Sequence, residues 1–459
     1  MSAYANNPGG FTQLLAQWIA DVRHHHSPEA VGVAERAMAD TVACVIAGMG
    51  DETVLRVRRG LSALLHRGSI AESSGYPDLE APWAALVLGT AAHALDYDDV
   101  LDPAASHISA VLIPSLLALS KDNEASGSAL VDAYIIGVQA QMLLAEAVNM
   151  SHYTKGWHTT STLGAPAAAA ACARLLGLDA ERCRHALSIA CSLSGGFKRQ
   201  FGTNTKPFHA GLAAKNGLIA ARMAQAGLTA DPAPFEGERG FLDLMAGQGS
   251  AGFSLAAKKL EALPAAPVPA VWQKRYPCCA STHRAIDAVL ELKRVHRIES
   301  EDIVRIDTIV SEAAVRNLMY DRPINVMQAR FSMPYCLAAA VLDGDLTLST
   351  FTPEALSRAD IRSFLPRVSM AADPAQPHDM PATEKSWANV TITTASGSCT
   401  MKVINPKGYP EHPLTEAELE AKFQDCASFA GTQPGAGVYS SWRNISAAPD
   451  ASTLYRSLW

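Results

Sequence analysis

Apolar residues recur at spacings of three and four through most of the first 250 positions, in segments beginning near Phe11, Pro28, Pro82, Ser109, Ser128, Ser161, Asp179 and Ala210. That period predicts helix after helix, joined by short loops that place neighbours antiparallel. Ser27-Pro28 is a start signal, with an N-cap hydroxyl before a proline at the first helical position, and Gly48 and Gly50 end that helix. Beyond Leu260 the composition turns to Leu-Pro-Ala-Ala-Pro-Val-Pro-Ala, which reads as a semi-rigid linker ending near Pro277. After it the period changes. Ile303 to Val310 and Val390 to Thr393 alternate as half-buried strands do, with helices expected near Thr282 to Arg294 and Ser332 to Leu342 and a proline-rich loop from Pro366 to Pro381. Thr415-Glu416-Ala417-Glu418 is a capping box that opens a helix running to about Phe429, and the last thirty residues read as turn-rich. The pattern therefore predicts a mainly α protein with an α+β second domain: a helical main domain over 1–265, a smaller α+β lid over 266–410, and a C-terminal helix and tail, 411–459, returning to the helical domain.

Composition narrows the class. The chain has 459 residues, long enough for two or three domains, and charged residues make up 18% against roughly 25% in an ordinary soluble domain. Aromatics are 7%, so the 48% hydrophobic content is mainly aliphatic and alanine, as in the run Ala167 to Ala171, which suits closely packed helices. A net charge of −7 without a Lys/Arg stripe leaves no electrostatic footprint for nucleic acid. The most apolar stretches, Pro82 to Leu95 and Ile108 to Leu119, fall short of the roughly 20 residues that span a bilayer, and the start lacks the basic and apolar regions of a signal peptide, so a cytoplasmic protein without a membrane partner is expected. Nine scattered cysteines without a Cys-x-x-Cys read as buried free thiols and supply no iron–sulfur or zinc ligand set.

Four clusters carry candidate chemistry. His93-Ala94-Leu95-Asp96-Tyr97-Asp98-Asp99, followed by Asp102 and His107, gathers carboxylates at the end of an apolar helix. Burial there needs partners or a task. Acid/base work with an oriented imidazole is one reading; Mg²⁺ held by Asp96, Asp98 and Asp99 is another, and a solvated helix end is the plain one. Gly156-Trp157-His158-Thr159-Thr160-Ser161-Thr162-Leu163-Gly164 places hydroxyls and backbone N–H groups at a helix start, where a carboxylate docks. In Phe201-Gly202-Thr203-Asn204-Thr205-Lys206-Pro207-Phe208-His209, the proline holds Lys206 extended as a fixed cation. Lys274-Arg275-Tyr276-Pro277-Cys278-Cys279-Ala280-Ser281-Thr282-His283 sets two cations and a histidine before a helix whose N-terminus disfavours the imidazolium.

In this order and at these separations the clusters resemble the MmgE/PrpD family, with Pro406-Lys407-Gly408-Tyr409-Pro410 as a fifth matching piece. The resemblance covers nearly the whole chain. It implies a helical domain with an α+β lid, a homodimer, no metal or organic cofactor, and a site between the domains at Asp96, His107, His158, Lys206, His283 and Tyr320. Substrate contacts are expected at Thr160, Thr205, Lys274, Arg275 and Arg322. It implies a lyase acting on a small di- or tricarboxylate, with elimination of the 2-methylcitrate dehydratase type placed first and decarboxylation of cis-aconitate or epimerisation of iminodisuccinate as alternatives. The chain departs from the family pattern at Val100, Ile108, Thr159 and Asn204, and Lys198-Arg199 stand where apolar residues are common.

Overall fold

The computed structural model describes residues 10–21, 25–65, 79–102, 104–121, 123–246, 256–260, 271–376, 385–432 and 437–456. Residues 1–9, most of the expected linker with the boundary at 265/266, and positions 377–381 of the expected proline-rich loop lie outside them. In the first unit the helices are α1 (Phe11–Ala20), α2 (Pro28–Gly48), α3 (Glu52–Leu65), α4 (Ala81–Ala94), α5 (Ser109–Ser120), α6 (Gly127–Thr154), α7 (Thr159–Thr162), α8 (Gly164–Leu175), α9 (Ala180–Ser192), α10 (Thr205–Gln225) and α11 (Phe241–Ala246). Ser27 caps α2 as expected, its hydroxyl accepting from the Ala30 N–H at 3.2 Å.

α5 is buried along its whole length and α4 along nearly all of it, so these helices are apolar on every side and form the middle of the unit. α10 crosses α4 with the two backbones almost touching. A Cβ added to Gly89 would lie 2.9 Å from the Gly211 Cα, and one added to Gly211 would lie 2.2 Å from the Leu86 carbonyl oxygen. Only glycine permits that approach. It brings the C-terminal end of α4 beside the N-terminal end of α10.

The second unit is built on a four-stranded sheet of order β4-β3-β5-β6, with β3 Ile303–Val310, β4 Val368–Ala372, β5 Ala388–Thr394 and β6 Gly397–Val403. β3 runs parallel to β4, with Ile306 opposite Val368, and antiparallel to β5, with Ile306 opposite Ile392; β5 and β6 form a hairpin. Ile303, Ile306, Val310, Val390 and Ile392 are buried, and α12 (Ala280–His296) packs on β5 and β6 while α13 (Met333–Asp343) packs on β4. A short antiparallel pair, β1 (Val100–Leu101) with β2 (Val271–Trp272), fastens the entry of this unit to the loop after α4.

Four readings of the sequence need correction or addition. The stretch after Pro366 is not all loop, because Val368–Ala372 is strand β4. The last thirty residues include helices Val438–Arg443 and Ala451–Arg456. α3 and β6 carried no recognised signal. The longest apolar helix segment is Gly127–Val148 rather than either stretch named above; it is long and apolar enough to cross a membrane, yet 78% of its most apolar window is buried inside the fold. Buried hydrophobic side chains fall into two large clusters, one of the helical unit together with Leu414, Phe423, Trp442 and Ile445 from the C-terminal segment, the other of the second unit together with Phe201. The C-terminal helix α14 (Glu416–Phe429) lies along α2. All nine cysteines are free and most are buried.

Candidate active site

The chain leaves α4 through a turn in which Asp96 takes a left-handed backbone conformation, φ 52°. Aspartate tolerates this better than most residues, and the cost of order 1–3 kcal/mol is borne because the surroundings fix it. The turn sends Asp96 and Asp98 in different directions around His93. Asp98 faces Nδ1 of His93 at 2.8 Å, and Nε2 of His93 meets the Lys206 ammonium at 2.8 Å. Lys206, at the start of α10, donates to the Asp96 carboxylate at 2.6 Å, and Lys274 reaches the same carboxylate at 3.2 Å and the Asp96 carbonyl at 2.7 Å. All five side chains are buried. Burial alone would raise the Asp96 pKa, but the ammonium groups of Lys206 and Lys274 outweigh it and hold the carboxyl well below the usual range.

His107 is tied down by three contacts. Its ring Nδ1 lies 2.9 Å from the Asp99 carbonyl and 3.5 Å from the Asp98 carboxylate, and its backbone N–H donates to the Thr160 hydroxyl at 3.0 Å. His158 stands at the N-cap position of α7 and lines a cavity of about 200 Å³; its Nε2 is buried and without a hydrogen-bond partner. Asp96, His107, His158 and Lys206 form the polar floor of that cavity; Val100, Phe201, Phe331 and Ala314 supply apolar wall, and Cys279, Ser281 and Arg284 come from the second unit. The cavity thus lies where the two units meet.

Five predicted residues come together here: Asp96, His107, His158 and Lys206 on the cavity, and Lys274 immediately behind Asp96. Thr160 acts through His107. The others are placed differently. Tyr320 donates from its hydroxyl to the Phe201 carbonyl at 2.9 Å and borders a larger cavity of about 1450 Å³ on the other side of Phe201. His283 is buried between Trp272 and Tyr276, with Nε2 at 3.3 Å from the Cys278 carbonyl and Nδ1 unpartnered. Arg275 is ion-paired with Asp345 at 2.6 Å, Thr205 opens α10 with its N–H on the Thr203 hydroxyl, and Arg322 is exposed. None of these lines the smaller cavity.

His93 and His209 lie inside the four clusters without being expected at the site, although a histidine three residues before Asp96 on an apolar helix was signal enough for His93. Nothing in sequence marked Asp40 and Lys422. Lys422, on α14, inserts its ammonium between the Asp40 carboxylate at 2.6 Å, the Tyr97 carbonyl at 2.8 Å and the Lys274 carbonyl at 3.0 Å. It links the backbone beside Asp96 to the backbone of Lys274.

The donor atoms of His93, Asp96, Asp98 and His107 lie within 4.8 Å of one another, the spacing of a metal site. The residues do not fit a divalent cation. The Lys206 ammonium already sits between Nε2 of His93 and the Asp96 carboxylate, Lys274 neutralises the same carboxylate, and Asp99, expected as a third ligand, instead accepts from the Ser109 N–H at 3.3 Å and has its pKa raised well above normal by burial.

Burial is the first cause that lowers the pKa values of His93, His107, His158, His152 and His209, the last two to about 4. Lys206 adds to it for His93, His107, His158 and His209. The unfolded chain binds these protons near pH 6.5 and the folded chain does not, so their contribution to stability is complete above that pH and is lost on acidification. Asp40 and Asp99, raised by burial, act in the opposite sense but are fewer. The urea midpoint is therefore expected to fall steadily from pH 7 to pH 5, with each imidazole contributing up to about 1.4 kcal/mol per pH unit. A midpoint that is flat or rises over that interval contradicts these protonation states.

Comparison with known proteins adds to the geometry. Residues 13–254 match the MmgE/PrpD N-terminal domain and residues 276–436 the MmgE/PrpD C-terminal domain. The chain is 29% identical to cis-aconitate decarboxylase of Homo sapiens over 420 residues, covering 88% of this chain and 85% of the relative. It is 26% identical to cis-aconitate decarboxylase of Aspergillus terreus over 454 residues, covering 93% and 91%. With both domain models matched in order and the junction between the matches falling where the helical unit gives way to the sheet, the chain belongs to the MmgE/PrpD family.

Proposed function

We propose that this protein is a lyase that removes carbon dioxide from a small unsaturated polycarboxylate of the cis-aconitate type, using side chains alone. The observation that carries the reading is the Lys206 ammonium, held by Asp96 and His93 at the floor of a cavity that also presents His107 and His158. The cavity is smaller than the roughly 300–1,000 Å³ pockets that hold drug-sized ligands, which suits an acid of few carbons.

Loss of carbon dioxide breaks a carbon–carboxylate bond and leaves its electron pair on carbon. A second carboxylate in conjugation takes up that charge as an enolate, and a new C–H bond then forms with a proton from the enzyme. Lys206 is placed to hold the carboxylate where the negative charge grows, and a fixed cation away from water is effective there. His158 and His107 stand on the same floor as the proton-transfer groups. Elimination of water from a hydroxy acid would use the same residues with the proton taken rather than given; decarboxylation is placed first because curated relatives covering about nine tenths of the chain bear that name.

Incubation with citrate, 2-methylcitrate, cis-aconitate and iminodisuccinate in D₂O, followed by proton NMR, separates the reactions. Decarboxylation of cis-aconitate with one deuterium entering the product at carbon is expected. Loss of water from a citrate, or exchange into recovered substrate without loss of carbon dioxide, would replace this reading by elimination or epimerisation. The homodimer is part of the same proposal, and sedimentation equilibrium reads one chain or two.

A further inference from the structure

His158 lines the cavity, and one of its ring nitrogens meets a second histidine. Its Nδ1 lies 3.1 Å from Nδ1 of His209 on α10, with ring centroids 5.3 Å apart. Both side chains are buried, and Nε2 of His158 has no partner. Two imidazoles that meet nitrogen to nitrogen form a hydrogen bond only when one nitrogen carries the proton and the other the lone pair. A neutral pair therefore holds a single Nδ1 proton between its rings. If His209 carries it, His158 has its own proton on Nε2, the nitrogen left without a partner. If His158 carries it, its Nε2 is bare.

The geometry points to His209 as a positioning residue that fixes the tautomer of His158 and so decides whether His158 meets the reacting carbon as proton donor or proton acceptor. This rests on the reading of His158 as a proton-transfer group. The surroundings keep the pair neutral. From α4 the His93 ring stacks 6.1 Å from His158, from α10 comes the Lys206 ammonium, and His107 lies across the floor, while Phe201 presents its edge. Among the described residues no carboxylate hydrogen-bonds either ring, and burial holds His209 at about 4. His93, by contrast, is oriented by Asp98. A carboxylate accepts only and would pin its histidine with Nδ1–H; a histidine in that place admits either arrangement. When His158 gives its Nε2 proton to carbon, the Nδ1 proton passes from His209 to His158 and solvent water protonates Nε2 of His209, which leaves the pair neutral in the opposite tautomer. Once product leaves, solvent returns a proton to Nε2 of His158, the Nδ1 proton goes back to His209 and His209 releases its Nε2 proton, so protons and charge balance over the cycle.

The test labels the full-length protein with ring-¹⁵N histidine, assigns His158 through His158→Gln, and reads both tautomers beside the pH–rate profile. In the parent protein His158 and His209 are expected in opposite tautomers. His209→Asp, which accepts only, is expected to drive His158 to Nδ1–H and to move the acid limb of the profile upward by about one pH unit or more. His209→Phe is expected to leave His158 in a mixture, and His209→Asn, whose amide can still donate or accept, to restore one tautomer. Like tautomers in the parent protein, or His158 signals unmoved by His209→Phe and His209→Asn in samples with parent-like melting, overturn the inference; the latter two decide it if His209→Asp does not fold. The NMR readout needs no substrate, so an enzyme that turned over none of the acids would sink the proposed function while this inference was still decided.

Discussion

Replacement of Lys206 by methionine is expected to lower kcat/KM on the preferred acid by about three orders of magnitude, with the protein still folded. A fixed donor aimed at developing charge in a water-excluded site contributes a factor of this order, and Lys206 is the only ammonium group on the cavity floor among the described residues. Methionine keeps the length and the apolar contact with Phe201 and Phe331, whose ring centroids lie 5.5 and 5.1 Å from the ammonium nitrogen. The carboxylate of Asp96 is not left alone, because Lys274 remains 3.2 Å away. Stability is therefore expected to drop by about 1–3 kcal/mol, less than when a buried ion pair loses its one partner. Adding Asp96→Asn is expected to cost further stability, because it strips the buried Lys274 ammonium of that carboxylate, and to recover no activity. The pair of measurements is kcat/KM by product NMR and the urea unfolding midpoint. Activity within tenfold of the parent would remove Lys206 from the chemistry.

The second large effect is on folding. Gly211→Val is expected to destabilise the protein by about 3 kcal/mol or more. Its Cβ would lie 2.2 Å from the Leu86 carbonyl oxygen and 2.4 Å from the Thr90 hydroxyl, and neither the α4 backbone nor a hydroxyl that donates to that same carbonyl can retreat without parting the helices. The same crossing sets the 2.8 Å contact between His93 at the end of α4 and Lys206 at the start of α10. Gly60→Ala is the control. It lies on exposed α3 with nothing within 4 Å of its added Cβ, and better helix propensity should leave stability equal or up to about 1 kcal/mol higher. A Gly211→Val protein with parent-like melting would mean that the α4–α10 contact is looser than described.

The helical unit was legible because its period is strong. α5 and α8 are buried on nearly every face, and the change to alternation at Ile303 announced the sheet. What escaped had weak patterns for physical reasons. β6 buries none of its seven residues fully, and only Thr53, Val54 and Leu61 of α3 are buried, so neither writes a clear stripe into the sequence. The β1–β2 pair joins two-residue strands from distant parts of the chain, far below what periodicity detects. Of the site, the polar clusters showed as clusters, and their order identified the family. Their mutual contacts did not show. Lys206 meets Asp96 across 110 positions and His158 meets His209 across 51, separations that only the helix crossings close. Arg275 and Tyr320 hold partners of their own, Asp345 and the Phe201 carbonyl, and a cation and a phenol near a motif do not disclose such partners.

The reach of Lys422 bears on how the molecule is made. The residue that clamps the Tyr97 and Lys274 carbonyls arrives with α14, 148 positions after Lys274 on the chain. Until then Asp40 lacks the ammonium group that pairs with it, and the segments carrying Asp96 and Lys274 are held by the Lys274 contacts and the β1–β2 pair without the clamp. The clamp on the loop after Asp96 is thus completed only when α14 has been made and packed on α2, after both units that border the cavity have been synthesised.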